Sequence, residues 1–122
     1  MGTPKIVVKR IYEAPDPADG VRVLVDRLWP RGVSKARAQL DEWFKDLAPS
    51  PELRSWWDHD ASSMDEFSDR YEQELGDPDH AQALKQLIDV VHGSQRVTLL
   101  YGAKDPAVNH AVVLQDYLRR HS

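Results

Sequence analysis

The chain has 122 residues, 41% of them hydrophobic, which suffices for one core of ordinary size, so we predict a single domain over residues 1–122. It has no cysteine and no apolar run near the roughly 18 residues of a membrane span, which excludes disulfides and thiolate chemistry and argues against membrane insertion. The net charge is −4, and residues 41–89 hold 14 Asp/Glu against 4 Lys/Arg, an excess that disfavours binding to bulk nucleic acid.

Two strands are predicted near the start of the chain. Residues 5–12 and 21–25 are rich in β-branched side chains, and in the second stretch Val21, Val23 and Val25 alternate with other residues. Residues 13–20, with two prolines and a closing glycine, form a loop too short for a crossover helix. The two strands are therefore either an antiparallel hairpin, which we favour, or non-adjacent elements joined around a sheet edge.

The second strand runs into a stiff cationic loop, residues 26–34. Trp29 precedes Pro30, which disfavours helix geometry at the tryptophan, and Gly32 can adopt a backbone conformation that other residues avoid. This loop presents Arg27, Trp29 and Arg31 together at the end of a core strand. We expect a ligand to bind there.

The next segment, residues 35–47, is predicted to be an amphipathic helix with Ser34 as N-cap. A short strand at residues 43–47 is the alternative, because the window is brief. The residues with helical spacing are Leu40, Trp43, Phe44 and Leu47.

Caps and glycines mark three further helices. Ser50-Pro51 and Asp77-Pro78 each combine an N-cap residue with a proline at the first helical position. Residues 63–66, Ser-Met-Asp-Glu, match the capping box and predict a helix that runs to about residue 75. Glycines at 76 and 93 mark the ends of the last two helices.

A second buried strand and a final helix close the chain. Residues 96–103 are almost continuously apolar, which is typical of a strand in a sheet covered on both faces. Asp105 is predicted to cap a helix that starts at Pro106, with an apolar stripe through Ala111, Leu114 and Leu118. The predicted fold class is α/β: a single compact domain with a small, mostly parallel sheet flanked by helices.

Both buried strands end in polar and aromatic residues. Ligands of open α/β sheets bind beyond the carboxyl ends of the strands, so parallel strands would bring the loop of Arg27, Trp29 and Arg31 close to a second group. That second group consists of Tyr101, Lys104, Asp105, Asn109 and His110. Cations beside an aromatic wall, an imidazole and a carboxylate suit a small anionic ligand.

Structural roles compete with this interpretation. Taken alone, each arginine is more often a surface partner of a carboxylate than a ligand contact, by about two to one. Trp29 fits a core, Asp105 is a cap first, and His110 can simply bond a carbonyl. The recurrence of polar and aromatic residues at both strand ends favours a site.

Other motifs are weaker. Asp58-His59-Asp60 offers metal ligands, but no second histidine follows at helical spacing, so a helix break is favoured and no metal is predicted. The phosphate-loop, dinucleotide-binding and serine-hydrolase motifs do not occur in the sequence. The sequence assigns no cofactor and no oligomeric state.

Four segments together indicate a family. They are Lys-Arg-Ile-Tyr at residues 9–12, Val-Leu-Val-Asp-Arg-Leu-Trp-Pro-Arg-Gly at 23–32, Asp-Glu-Trp at 41–43, and Tyr-Gly-Ala-Lys-Asp with Asn-His-Ala at 101–111. The chain resembles the YeaO-like family (DUF488) of small bacterial domains of unknown function, and the similarity covers nearly the whole chain. The resemblance implies a compact, soluble, cytoplasmic α/β domain and brings no settled activity with it.

We expect the chain to bind a small anionic ligand, phosphorylated or nucleotide-like, at the strand ends. In an enzyme, His110 or Asp105 would transfer a proton. Ligand contacts are expected from Arg27, Trp29, Arg31, Tyr101, Lys104 and Asn109. The alternative is a non-catalytic module that binds nucleic acid or protein through Trp29 and the arginines.

Overall fold

A computed structural model of the protein describes residues 5–121, and its centre is a parallel four-stranded sheet. The strands are β1 (Ile6–Arg10), β2 (Val21–Leu24), β3 (Glu42–Trp43) and β4 (Val97–Tyr101). They lie in the order β1-β4-β2-β3, and each neighbouring pair is parallel. The predicted α/β class is confirmed, and the carboxyl ends of all four strands lie at one edge of the sheet.

The two central strands, β2 and β4, are apolar on both faces. Because side chains alternate along a strand, Val23 and Leu99 belong to a large apolar cluster on one face, and Leu24 and Leu100 to a smaller cluster on the other. Every residue of β4 is buried. The near-continuous apolar sequence of this strand therefore correctly predicted a sheet covered on both faces.

Helices cover the first face, and an irregular segment covers the second. The helices of the described chain are α1 (Lys35–Ala38), α2 (Pro51–Trp57), α3 (Met64–Leu75), α4 (Ala81–His92) and α5 (His110–His121). The last four contribute buried side chains to the large cluster, and residues 26–41, which include α1, cover the other face. Within residues 5–121 no helix has the length and apolar character needed to span a membrane.

The hairpin favoured for the first two strands is wrong, and the alternative, two non-adjacent strands, is observed. β1 and β2 lie on either side of β4, and both run parallel to it. Residues 11–20 contain only a 3₁₀ turn, Pro17–Asp19, but ten extended residues reach about 33 Å, enough to return to the start of β2 without a helix. Gly20 ends this connection at φ 67°, where a Cβ would collide with the carbonyl oxygen of Arg96.

The helix predicted over residues 35–47 is wrong beyond its first turn. Ser34 Oγ accepts a hydrogen bond from Arg37 N and caps α1, but Gln39 is left-handed (φ 48°) and ends the helix. The chain then pairs β3 with β2 and forms a 3₁₀ turn at Lys45–Leu47. Main-chain bonds to the edge of β2 therefore outweigh the helical spacing of the apolar residues. Of the alternative strand at residues 43–47, only Trp43 belongs to β3.

The cap-plus-proline signals located two helix starts. Ser50 Oγ accepts a hydrogen bond from Leu53 N at the start of α2, as predicted. Asp77 caps a 3₁₀ turn at Pro78–His80, which continues into α4. The predicted ends at Gly76 and Gly93 are confirmed, since both residues are C-caps.

Two predicted caps are wrong. Ser63 makes no side-chain capping bond at the start of α3, because the chain enters this helix through a 3₁₀ turn that Asp60 caps. The last helix starts at His110 rather than at Pro106, because Asn109 Oδ1 accepts the hydrogen bond from Val112 N.

A buried ion cluster fixes the connection between β1 and β2 to the sheet. Asp19 accepts from Lys9 Nζ at 3.0 Å and from Arg22 Nη1 at 2.5 Å. Arg22 is 4% exposed and also donates through Nε and Nη2 to the carbonyl oxygen of Ala38. The carboxylate lies between two cations, so each buried charge has a partner.

We predict that Asp19→Ala destabilises the fold by about 3–5 kcal/mol, because it leaves the buried Arg22 charge without its partner. The measurement is urea unfolding at pH 7. The control is Glu66→Ala, which breaks the exposed pair with Arg70 and should cost less than about 1 kcal/mol. Similar losses in the two variants would contradict a special role for the cluster.

Candidate functional site

A cavity of about 380 Å³, which we call the strand-end cavity, opens at the carboxyl ends of β2 and β4. Its walls come from residues 26–31 after β2, from α2 and the turn that follows it, from residues 102–103 after β4, and from the start of α5. This is the edge at which parallel sheets bind ligands, and the volume is in the range of small-molecule sites.

A wider depression of about 680 Å³ lies at the opposite, amino-terminal edge of the sheet. Its lining includes Gly20, Gly93 and Ser94, and Arg96 is its one ionisable residue among the described residues. It therefore offers little chemistry for recognition, and the strand-end cavity is the better candidate.

Three arginines line the strand-end cavity: Arg27, Arg31 and Arg54. Arg27 Nη2 donates to the carbonyl oxygen of Pro49 at 3.2 Å, and its buried Nε has no hydrogen-bond partner. Within residues 5–121 the Arg31 and Arg54 guanidinium groups donate no hydrogen bond to the protein, and none of the three forms a salt bridge. Pairing of these arginines with surface carboxylates is the structural alternative to a ligand site. Among its described residues, the structure does not show such pairing for any of the three.

Asp26 joins the two strand ends. Its Oδ2 accepts from Gly102 N at 2.9 Å, directly beyond the last sheet bond, Val25 N to Leu100 O at 3.1 Å. A Cβ on Gly102 would lie 3.0 Å from Asp26 Oδ2, so glycine permits this close approach. Asp26 Oδ1 is buried and has no hydrogen-bond partner within the described chain.

His110, the first residue of α5, lies beside this carboxylate. Its Nε2 is 2.9 Å from the carbonyl oxygen of Val25 and 3.3 Å from Asp26 Oδ1. A carbonyl oxygen only accepts, so Nε2 carries the proton and the neutral ring has its lone pair on Nδ1. Burial lowers the pKa of His110; Asp26 and the Val25 bond oppose this effect, and Arg54 adds to it.

The chain reverses after α2 and brings His59 to the cavity. Asp58 and His59 both have positive φ, 48° and 57°, in a left-handed region that costs non-glycine residues roughly 1–2 kcal/mol each. The His59 ring lies 4.9 Å from the ring of Trp57, which also lines the cavity. The predicted helix break at residues 58–60 is confirmed, and it supplies a second imidazole to the wall.

Aromatic side chains hold the loop after β2 in place. Trp29 Nε1 donates to the carbonyl oxygen of Val33 at 2.6 Å, and its ring meets the edge of Trp43 at 5.5 Å. Trp43 Nε1 in turn donates to the carbonyl oxygen of Asp26 at 2.7 Å, and Tyr12 Oη donates to that of Arg31 at 3.0 Å. The arginines therefore project from a loop whose main chain is fixed at several points.

Half of the predicted site residues line this cavity: Arg27, Trp29, Arg31 and His110. The other four do not. Tyr101 is 2% exposed within the large apolar cluster, and Lys104 is exposed outside the cavity. Asp105 Oδ1 accepts from Ala107 N and Val108 N, and the Asn109 side chain caps α5, so both polar groups serve the backbone.

Sequence reasoning missed Tyr12, Asp26, Arg54, Trp57 and His59 as cavity residues. The sequence does contain a signal for Asp26, because this residue directly follows the buried strand whose end was predicted to bind a ligand. Arg54, Trp57 and His59 had no such signal, because their positions depend on how α2 packs over the sheet. Within residues 5–121 no group of three potential ligands among His, Asp and Glu lies close enough to hold a metal ion.

Comparisons with other proteins agree with the resemblance found in the sequence. The chain is 45% identical to the uncharacterized protein YeaO of Escherichia coli K12 over 114 residues, which cover 93% of this chain and 96% of that protein. It is 42% identical over 114 residues to the uncharacterized proteins Rv3073c of Mycobacterium tuberculosis H37Rv and Mb3100c of Mycobacterium bovis, covering 93% of each chain. The family model DUF488-N3i, described as the inactive DUF488-N3 subclade, matches residues 5–122. No solved structure matches the chain.

We predict that His110 makes the stability of the fold depend on pH. Its pKa in the folded protein is lower than the ordinary value of 6.5, so below that pH the unfolded chain takes up a proton that the folded chain does not. Stability should therefore fall as the pH decreases from 8 towards 5.5, and this group adds a slope that approaches about 1.4 kcal/mol per pH unit.

The measurement is urea unfolding across this pH range for the wild type and for His110→Gln, whose amide can still donate to Val25. The variant should lose less stability at low pH than the wild type does, each relative to its own value at pH 8. Equal losses in the two proteins would contradict the prediction.

Proposed function

This chain belongs to the DUF488-N3i family, the inactive DUF488-N3 subclade, and we propose that it binds a small anionic, phosphorylated or nucleotide-like ligand in the strand-end cavity. The bound anion would lie among Arg27, Arg31 and Arg54. The aromatic walls would contact the remainder of the ligand.

The observation that supports this proposal most is the presence of three arginines in one cavity without a carboxylate partner. Arg27 is half-buried, and Arg31 and Arg54 are exposed. Like charges that line one cavity repel one another, and a bound anion would balance them. The protein has 20 Asp/Glu residues, yet within residues 5–121 none of them forms a salt bridge with these arginines. Planar guanidinium groups bind phosphate and carboxylate through paired hydrogen bonds, so a ligand of that chemistry would supply the missing charge.

The shape of the site favours a small ligand over a macromolecule. A nucleic-acid interface needs a continuous basic surface, whereas here the cations face a concavity that also contains buried polar atoms. The acidic segment at residues 41–89 supplies α2 and α3 beside this concavity. Bulk phosphate backbones would be repelled there.

The chemistry of the lining supports binding rather than turnover. The described lining contains no Ser, Thr, Cys or Lys side chain, so a nucleophile could come only from Asp26, Tyr12 or the two imidazoles. The word "inactive" in the description of the subclade agrees with this. His110 and Asp26 remain as the proton-transfer groups of an enzymatic alternative, since they lie together at the cavity wall.

We predict that Arg31→Ala weakens the binding of inorganic phosphate roughly 10- to 150-fold, or about 1.5–3 kcal/mol, the scale of hydrogen bonds to a charged group. Isothermal titration calorimetry measures this effect, and the melting temperature without phosphate shows that the fold persists. The matched control is Lys104→Ala, which removes the same charge from an exposed residue outside the cavity. A comparable loss in the control would mean that net charge, and not the cavity, controls binding.

We predict that bound phosphate esters are released unchanged. Phosphorus NMR of methyl phosphate and ribose 5-phosphate, each incubated with equimolar protein, should show no new resonance over a day. A time-dependent product that disappears in His110→Gln would instead identify an enzyme.

A further inference from the structure

We propose that the anion in the strand-end cavity is one end of a hydroxylated phosphate ester, a sugar phosphate or nucleoside phosphate, whose hydroxyl groups donate hydrogen bonds to Asp26. This inference rests on the proposed function, because it names the class of ligand that the same cavity would take. Asp26 is the one acidic residue among the described residues of the lining.

The carboxylate of Asp26 disfavours a ligand that carries only negative charge, such as inorganic phosphate. It is the single carboxyl group in a lining with three arginines, and none of these arginines forms a salt bridge with it. It forms no ion pair with them, and its negative charge would repel an incoming phosphate. A ligand that is an anion at one end and a hydrogen-bond donor at the other satisfies both groups.

Asp26 has two structural contacts: Oδ1 lies 3.3 Å from His110 Nε2, and the contact at Oδ2 does not require a negative charge. Its Oδ2 accepts one hydrogen bond, from Gly102 N. The amide oxygen of asparagine would accept the same bond in the same place. The contact with His110 uses Oδ1 only and leaves Oδ2 with a single partner, whereas a ligand donor would use the charge at Oδ2, because hydrogen bonds to an ionised acceptor are the stronger ones.

The exposed part of Asp26 is suitable for such a donor. The side chain is 22% exposed, but Oδ1 is buried beside His110, so the exposure belongs to the other atoms, which include Oδ2. A carboxylate oxygen accepts two hydrogen bonds, and Gly102 supplies one of them to Oδ2. One acceptor position therefore remains for a ligand hydroxyl.

The size of the cavity fits a ligand larger than phosphate. At about 30 Å³ for a water molecule, a cavity of 380 Å³ has room for on the order of twelve groups of that size, whereas a phosphate ion has only five heavy atoms. The additional wall includes the half-buried rings of Tyr12 and Trp29, against which a sugar or a base can lie.

The test compares two phosphate esters by isothermal titration calorimetry at pH 8, where both are dianions. Ribose 5-phosphate has hydroxyl donors, and methyl phosphate has none. Asp26→Asn keeps the shape of the side chain and removes its charge. We expect the variant to bind methyl phosphate more tightly than the wild type does, because the repulsion is gone, and to bind ribose 5-phosphate roughly tenfold more weakly, because the charged acceptor is lost.

Asp105→Asn is the matched control, since it makes the same substitution at an exposed residue that does not line the cavity. It should change neither affinity by more than about twofold, as expected for a screened surface charge. Tighter binding of both esters by Asp26→Asn, or an unchanged affinity for ribose 5-phosphate, would overturn the inference and leave the proposed function standing. If the wild type binds neither ester, the proposed function itself fails.

A second measurement covers the case in which Asp26→Asn does not fold. The wild type alone should bind ribose 5-phosphate at least about tenfold more tightly than methyl phosphate. Equal affinities would overturn the inference without any variant. Adenosine 5′-monophosphate then separates a nucleoside phosphate from a sugar phosphate by whether it binds more or less tightly than ribose 5-phosphate, and either order supports the proposal.

Discussion

Parallel pairing of β2 with β4 brings residues 26–31 and residues 102–110 to one edge of the sheet, although α2, α3 and α4 lie between them in the sequence. The pairing continues past the ends of both strands, through Val25 N to Leu100 O and then through Gly102 N to Asp26 Oδ2. Glycine at position 102 suits the last bond, because a Cβ there would lie only 3.0 Å from the carboxylate oxygen. Cavity, cations and imidazole all depend on this alignment, since antiparallel strands would place the two loops at opposite edges.

The protein has a net charge of −4, yet three arginines line its strand-end cavity. Several carboxylates of the acidic segment are engaged elsewhere: Glu74 accepts from Ser50, Glu66 pairs with Arg70, and Glu72 pairs with Arg120. The arginines of the cavity are thus left to the solvent or to a ligand. Asp26 is the one carboxylate among the described residues that line the cavity. Its position is set by its place just beyond the end of β2, and not by attraction to an arginine.

The fold could be predicted where one local signal decided the structure. The buried strand β4, the start of α2 at Ser50-Pro51 and the end of α4 at Gly93 are of this kind, because a continuous apolar run, an N-cap and a C-terminal glycine are local signals. Prediction failed where a long-range bond competed with the local signal. The spacing of residues 35–47 is helical, but β3 pairs with the edge of β2, a partner that is distant in sequence. The connection between β1 and β2 was misread because its length permits a route that its composition does not reveal.

The residues of the candidate site also fall into two groups: those that a local signal located, and those whose positions depend on tertiary packing. Arg27, Trp29, Arg31 and His110 follow or border the buried strands, so the rule that ligands bind at the carboxyl ends of parallel strands was enough to group them. Arg54 and His59 come from the helix layer, and their distance from the cavity depends on how α2 packs against the sheet. His59 in particular reaches the wall only because Asp58 and His59 both adopt left-handed conformations, which neither residue type dictates. A conformation that is unfavourable in isolation persists when the surrounding packing imposes it, and such strain recurs at functional sites. The side chains that complete the site are therefore those that only the assembled fold can specify.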